Sequence, residues 1–266
     1  MNQPADPQEP EIQGSDVAQT GVTEDALLDG RIVLQQPKDG YRAAIDPVFL
    51  AAAVTARPGD RILDLGCGVG TAGLCLLSRV PGIEVTGFEI QSQLVELSRQ
   101  NAARNGLKSR FEAIEGDILA LPASLSLESF DHVICNPPYL ASGAARPSPN
   151  LSRTTANQEG EAQLNDWIEA AVALVRRKGS ITFIHRADRM DTLIDGLTGP
   201  TGGLRLFPLW PKAGKAAKRV LLQSRKAAAS PMIMAPGLVL HQDNGKFTDA
   251  ADAILRRGEA LELSRR

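Results

Sequence analysis

Two short segments hold residue types that could do chemistry together. The first, LDLGCGVG, ends an apolar run on Asp64 and then places Gly66, Gly68 and Gly70 at alternate positions. Glycine permits a tight turn and close approach of a ligand to the backbone, and a helix starting there offers unpaired N–H donors. A nucleotide-like ligand is implied. The dinucleotide fingerprint asks for a small residue three positions after its second glycine; Thr71 stands there and the spacing is G-x-G-x-G, which weakens a nicotinamide reading. Glu89 closes the next apolar run 19 residues after Gly70, near the ~20-residue spacing at which an acid accepts both hydroxyls of a ribose.

The second segment, Asn136-Pro137-Pro138-Tyr139, follows the apolar run FDHVIC, at the strand end where ligands of open α/β sheets bind. Alone, this tetrapeptide would read as a rigid turn with a core tyrosine. Beside a ligand loop it becomes a candidate site. His132, His185 and His241 follow no metal-ligand or triad spacing and read as structural. Cys67, Cys75 and Cys135 never form C-x-x-C, so they read as reduced thiols, with neither a zinc site nor a disulfide framework.

The elements that must position these residues begin at Arg61. RILDL, TAGLCLLSRV, EVTGFEI and QSQLVELSRQNAARNGL give β-α-β-α, the second helix stopping at Asn105-Gly106. RFEAIEGDIL and FDHVIC continue as strands, 161–177 as an Ala-rich helix, GSITFIH, RVLLQSRK and GLVLH as strands, and 250–256 as a closing helix. This alternation predicts an α/β fold, a doubly wound and mostly parallel sheet with helices on both faces. Two long connections, 140–160 and 199–217, contain Pro and Gly and read as binding loops or lids; the first carries Arg146 and Arg153 directly after Tyr139.

Composition bounds the rest. With 266 residues, 43% hydrophobic and 23% charged, wholesale disorder and fibrous repeats are excluded and one enzyme-sized domain is expected. Residues 1–22, rich in Pro, Gln and acids without apolar period, read as a disordered acidic tail, and 23–266 as a single domain. The apolar stretch 43–54 is interrupted by Asp46, and no run reaches the ~18 apolar residues of a membrane span. No charged-then-apolar leader is present either, so a cytoplasmic location is expected. The net charge of −2 hides an asymmetry: residues 1–30 hold seven acids and no Lys or Arg. Between Gly196 and Gln242 there is no acid, while Arg205, Lys212, Lys215, Lys218, Arg219, Arg225 and Lys226 are basic. That footprint suits a polyanion, and equally a solvated basic face.

From Arg61 to the C-terminus the chain resembles the class I S-adenosylmethionine-dependent methyltransferases, whose first motif is an acid followed by G-x-G-x-G. The N-P-P-Y tetrapeptide resembles that of the group modifying a planar amine or amide nitrogen. The resemblance implies a Rossmann-like sheet of seven strands and S-adenosylmethionine as cofactor. Gly66, Gly68 and Gly70 would lie against its methionine and ribose portions, Asp64 near the ammonium and Glu89 on the ribose. Asp117, in EGDIL, would contact the adenine amine, Arg42 and Asp46, in GYRAAIDPVFLAA, would close over the methionine end, and Asn136 would border the cofactor as well as the substrate. No metal is implied. A planar nitrogen is a poor nucleophile, because its lone pair is delocalised. By this resemblance the Asn136 side-chain oxygen and the Pro137 carbonyl would accept its hydrogens and hold the lone pair toward the methyl group, with Pro138 fixing the backbone. Tyr139 would stack on an unpaired base, an attraction worth ~1–3 kcal/mol.

Three readings of the substrate follow. GYRAAIDPVFLAAAV, FEIQSQLVELSRQNAARNGL, NPPY and the terminal KRVLLQSRK…GLVLHQDNGKFTDAADAIL together resemble the bacterial tRNA1(Val) (adenine-37-N6)-methyltransferases. That implies an adenine in a single-stranded tRNA loop, with 196–242 tracking the RNA backbone and 140–160 closing over the substrate. Enzymes methylating release-factor glutamine share the core but carry a sizeable N-terminal helical domain, and DNA adenine enzymes add a target-recognition domain; no segment of such size is expected here. A non-catalytic module binding cofactor or RNA is the third reading.

Overall fold

The computed structural model describes residues 21–38, 45–138 and 162–264. A hairpin comes first, β1 (Val22–Leu27) paired antiparallel with β2 (Ile32–Pro37). Its start at Val22 puts the fold one residue inside the stretch expected to be tail. Period-2 alternation buries Ile32, Leu34 and Gln36 of β2.

The main sheet runs, in spatial order, β5 (Phe111–Glu115), β4 (Glu84–Glu89), β3 (Arg61–Leu65), β6 (Phe130–Cys135), β7 (Val175–Arg186), β9 (Arg219–Lys226) and β8 (Thr201–Trp210). All are parallel except β9, which is antiparallel to both neighbours. These seven match the expected α/β sheet. The two-residue strands β10 (Ile233–Met234) and β11 (Leu238–Val239) extend it along β8.

Both faces are covered, which is why the central strands are apolar at successive positions. Ile62, Ile134 and Ile184 pack beneath α1 (Asp46–Ala52), α2 (Thr71–Arg79), α3 (Ser92–Arg104) and α6 (Asp249–Leu255). Leu63, Leu65, Val133, Cys135 and Phe183 pack against α4 (Leu164–Leu174) and α5 (Met190–Leu197) on the opposite face. Truncating such a fully buried leucine to alanine costs about 2–5 kcal/mol.

Two expected elements differ. The helix expected over 161–177 ends at Leu174, and Val175 opens β7 directly; Lys178, at φ +66°, lies inside a bulge between the Phe130 and His132 pairings. The connection expected at 199–217 contains the ten-residue strand β8. Its Pro208 is tolerated because Leu206 and Trp210 turn their carbonyls to the outer ladder, so by period 2 the missing N–H of Pro208 falls in the gap between β10 and β11.

Chain order reverses between β3 and β6: β4 and β5 build outward on one side, β6 and β7 on the other. The carboxyl ends of β3 and β6 therefore flank the topological switch point, where ligands of open α/β sheets bind.

Candidate active site

The glycine loop leaves β3 and enters α2. Backbone N–H groups of Gly66 and Cys67 donate to the Phe88 carbonyl at 2.7 and 3.1 Å, tying the loop to β4. Gly66, Gly68 and Gly70 have φ of +73°, +55° and +86°, the left-handed region that favours glycine. Their surroundings separate their roles. A Cβ on Gly66 would stand 2.5 Å from the Trp167 ring of α4, and one on Gly70 3.2 Å from Phe111 and 3.3 Å from Ser98. At Gly68 nothing lies within 4 Å, so this glycine faces open space.

Beside that space is Glu89, only 7% exposed. Its Oε2 accepts from the Gly68 N–H at 2.9 Å and its Oε1 from the Gln91 N–H at 3.0 Å. The carboxylate is thus held in one orientation with lone pairs to spare. Burial raises its pKa above the ordinary glutamate value, and the N–H groups of Gln91 and Gly68 oppose the rise. Asp64 is deeper, 2% exposed, and its Oδ2 accepts from Gly73 of α2 at 2.9 Å. Burial pushes its carboxyl up to about 7, with the Gly73 N–H acting against the rise and the Glu89 charge adding to it. Asp64 therefore sits behind the loop, not on its open side.

Next to these acids, Ile90 at the end of β4 and Leu119 after β5 are 60% and 48% exposed, two bare apolar side chains on the same edge. Asp117, two residues before Leu119, accepts the Leu119 N–H on Oδ1 at 2.9 Å. Asn101 of α3, fully buried, donates to the carbonyls of Val69 and Gln35 and accepts from the Gln35 N–H, locking the glycine loop to β2.

Across the switch point, β6 ends on Cys135 and delivers half-buried Asn136, buried Pro137 and half-buried Pro138 to the same carboxyl edge. His185, on neighbouring β7, places Nε2 3.3 Å from the Pro138 carbonyl oxygen. The other histidines are tied up away from this motif: His132 between Ser180 and Asp60, His241 on the Pro211 carbonyl and the Phe247 ring. Asp46, at the start of α1, pairs with Arg219 of β9 at 2.9 Å. Arg42, Tyr139 and the connection 140–160 lie outside the described residues.

The basic stretch 196–242 is not one surface. Arg186 of β7 stands opposite Arg219 in the ladder, and Ser180 opposite Arg225, so the two ends of β9 lie at opposite edges of the sheet. The 211–218 turn, with exposed Lys215 and Lys218, is at the carboxyl edge with Asn136. Arg225 and Lys226 are at the far edge, where Lys226 donates to the Val172 carbonyl of α4 and the Val175 carbonyl at the start of β7 and pairs with Glu128. Arg205 bonds Gln223 within the sheet. Among the described residues no three His, Cys, Asp or Glu side chains gather as a metal site, and no helix is long and apolar enough to cross a membrane.

Sequence reasoning did not single out Trp167, Asn101, Ile90 or Leu119. Only Ile90 left a usable signal, an apolar residue directly after a strand-ending acid.

Comparison with known proteins shows what this chain is similar to. A family model for a methyltransferase domain matches residues 56–193. The tRNA1(Val) (adenine(37)-N6)-methyltransferase of Vibrio campbellii is 26% identical over 213 residues, 80% of this chain and 86% of its own. The protein of that name from Haemophilus influenzae is 25% identical over 82% and 90%. A crystal structure described as a predicted O-methyltransferase, the Agrobacterium tumefaciens protein Atu636, superposes with a TM-score of 0.68 at 26% identity, covering 82% of this chain and 98% of that one. The chain belongs to the methyltransferase domain family and has its class I fold.

Proposed function

We propose that this protein transfers a methyl group from S-adenosylmethionine to the exocyclic amine of an adenine in RNA, and that the RNA is a tRNA methylated beside its anticodon. The observation that carries this reading is Asn136-Pro137-Pro138 at the tip of β6, on the same carboxyl edge as the glycine loop that follows neighbouring β3.

The residues present fit that cofactor. The open side of Gly68 and the fixed Glu89 carboxylate would receive its ribose, and Ile90 and Leu119 would flank its adenine beside Asp117. Asp64, behind the loop, would contribute negative charge toward an ammonium and a sulfonium rather than a direct contact. Asp46, joined by Arg42, would border the methionine end. When bound, the cofactor supplies an electrophilic methyl group.

The chain's own residues supply geometry. Asn136 Oδ1 and the Pro137 carbonyl accept the two amine hydrogens, turn the nitrogen lone pair toward the methyl group and share the protons as positive charge develops. Pro137 and Pro138 limit the backbone so that both acceptors converge. Tyr139 stacks on the extruded base. An oxygen acceptor brings at most one hydrogen and has no use for two converging acceptors, which favours nitrogen over the oxygen named for the Agrobacterium protein. The names of the curated relatives support an adenine in tRNA. Lys215 and Lys218, with the connection 140–160, would meet the tRNA backbone. This reading places the protein in the cytoplasm, its single methyltransferase domain following the acidic tail.

Nucleoside mass spectrometry of tRNA from a strain lacking the gene tests it. Loss of N6-methyladenosine, restored on re-expression, is expected. Unchanged N6-methyladenosine together with loss of release-factor methylglutamine would refute it.

A further inference from the structure

The geometry points to His185 as a positioning residue for the amine-gripping turn, its imidazole anchoring the Pro138 carbonyl so that the turn is held at its exit and the chain leaves toward Tyr139 in one direction. The inference rests on the reading of Asn136 and Pro137 as the amine's two acceptors. His185 lies two residues beyond the Cys135–Phe183 pair of the β6–β7 ladder, level with Pro137. Its side chain is fully buried, 0% exposed.

The turn needs such an anchor. Pro137 and Pro138 have no N–H, so two successive residues after β6 offer only carbonyls to their neighbours. The Pro137 carbonyl is reserved for the amine. The Pro138 carbonyl lies 3.3 Å from His185 Nε2, and because a carbonyl oxygen only accepts, a hydrogen bond here requires the hydrogen on Nε2. Ring closure fixes φ at both prolines, and ψ of Asn136 and Pro137 is restricted because each precedes a proline. The remaining soft torsion is ψ of Pro138, which sets the carbonyl direction and the departure of Tyr139. The His185 bond fixes that torsion. The ring is neutral: burial holds its pKa down to about 4, and nearby Arg189 and Arg219 act in the same direction, while backbone hydrogen bonds to Pro138 and Arg186 act against them.

Two substitutions separate this role from a packing role. His185→Leu fills the space without a donor, whereas His185→Gln places an amide N–H near the position of Nε2. Both are measured with whichever acceptor the wild type methylates, unmodified tRNA or release factor, so a wrong substrate assignment and a wrong role for His185 give different results. His185→Leu is expected to lower kcat about 10- to 100-fold, as for a misplaced reacting group, with the dissociation constant for S-adenosylmethionine unchanged. His185→Gln is expected to recover kcat to within about threefold of wild type. A wild-type kcat in His185→Leu, or equal losses in both variants, would overturn the proposal. So would a fall in kcat matched by lost cofactor binding. Nitrogen-15 NMR of the wild-type imidazole gives a readout free of activity and of variant folding: an Nε2–H tautomer supports the bond, and an Nδ1–H tautomer with bare Nε2 contradicts it.

Discussion

Asp64→Asn separates what the buried acid contributes to binding from what it costs the fold. The carboxylate is 2% exposed and bonded to the Gly73 N–H, and an asparagine oxygen can accept that same bond. Burial, the largest cause, pushes the carboxyl from 3.8 to about 7. A group whose folded pKa is raised gives stability that is complete below its unfolded pKa and is lost as pH rises through the folded one. The full loss by pH 8 is on the order of 4 kcal/mol, of which about 2–3 kcal/mol falls between pH 5 and 8. Asparagine does not titrate. Its extra N–H groups must find acceptors, at about 1–3 kcal/mol, but that cost is the same at every pH. Thermal unfolding without ligand, followed by circular dichroism between pH 5 and 8, should therefore show the variant gaining on the parent by about 5–10 °C across that range. The variant should also bind S-adenosylmethionine more weakly. Parallel curves of Tm against pH would refute the burial argument, whatever their offset.

The glycine loop predicts a contrast. Gly66→Ala meets the Trp167 ring 2.5 Å away at φ +73°, so it should destabilise the fold by about 2–4 kcal/mol in chemical denaturation. Gly68→Ala, at φ +55° with nothing within 4 Å, should cost only about 1–2 kcal/mol yet weaken S-adenosylmethionine binding in calorimetry, because its methyl enters the ligand's space. Asn136→Ala should bind the cofactor as the parent does and lose about 100- to 1000-fold in single-turnover methyl transfer. The Lys215→Ala, Lys218→Ala double variant should weaken tRNA binding and reduce the slope of log affinity against log salt by about 2, with Arg225→Ala leaving both unchanged.

The parts legible in the sequence were local. A strand ending in Asp64, alternate glycines and a helix are contiguous, and Gly106 stops α3 in the left-handed conformation that Asn105-Gly106 suggested. Alternating strands and helices sufficed for the sheet and for placing Glu89 and Asn136 on one edge. What escaped depends on partners far along the chain. The acidic segment of β1 belongs to a hairpin whose β2 is held by Asn101 and Asn105, 66 and 72 residues away. β8 was hidden by Pro208, whose missing donor matters only if the outer ladder is continuous. Trp167 against Gly66 and His185 against Pro138 join different elements, and no spacing rule predicts either. The basic stretch misled for a geometric reason: continuity in sequence is not continuity in space. Eight residues of β9, at about 3.3 Å each, carry Arg225 and Lys226 to the far edge of the sheet.

The central claim is a methyl donor seated on Gly68 and Glu89 with its reactive end turned toward Asn136. A crystal structure with bound S-adenosylhomocysteine tests it most directly. The account predicts both ribose hydroxyls on the Glu89 carboxylate and the sulfur facing Asn136 across the gap between β3 and β6. A ligand seated elsewhere, or with its sulfur turned away from Asn136, would contradict it.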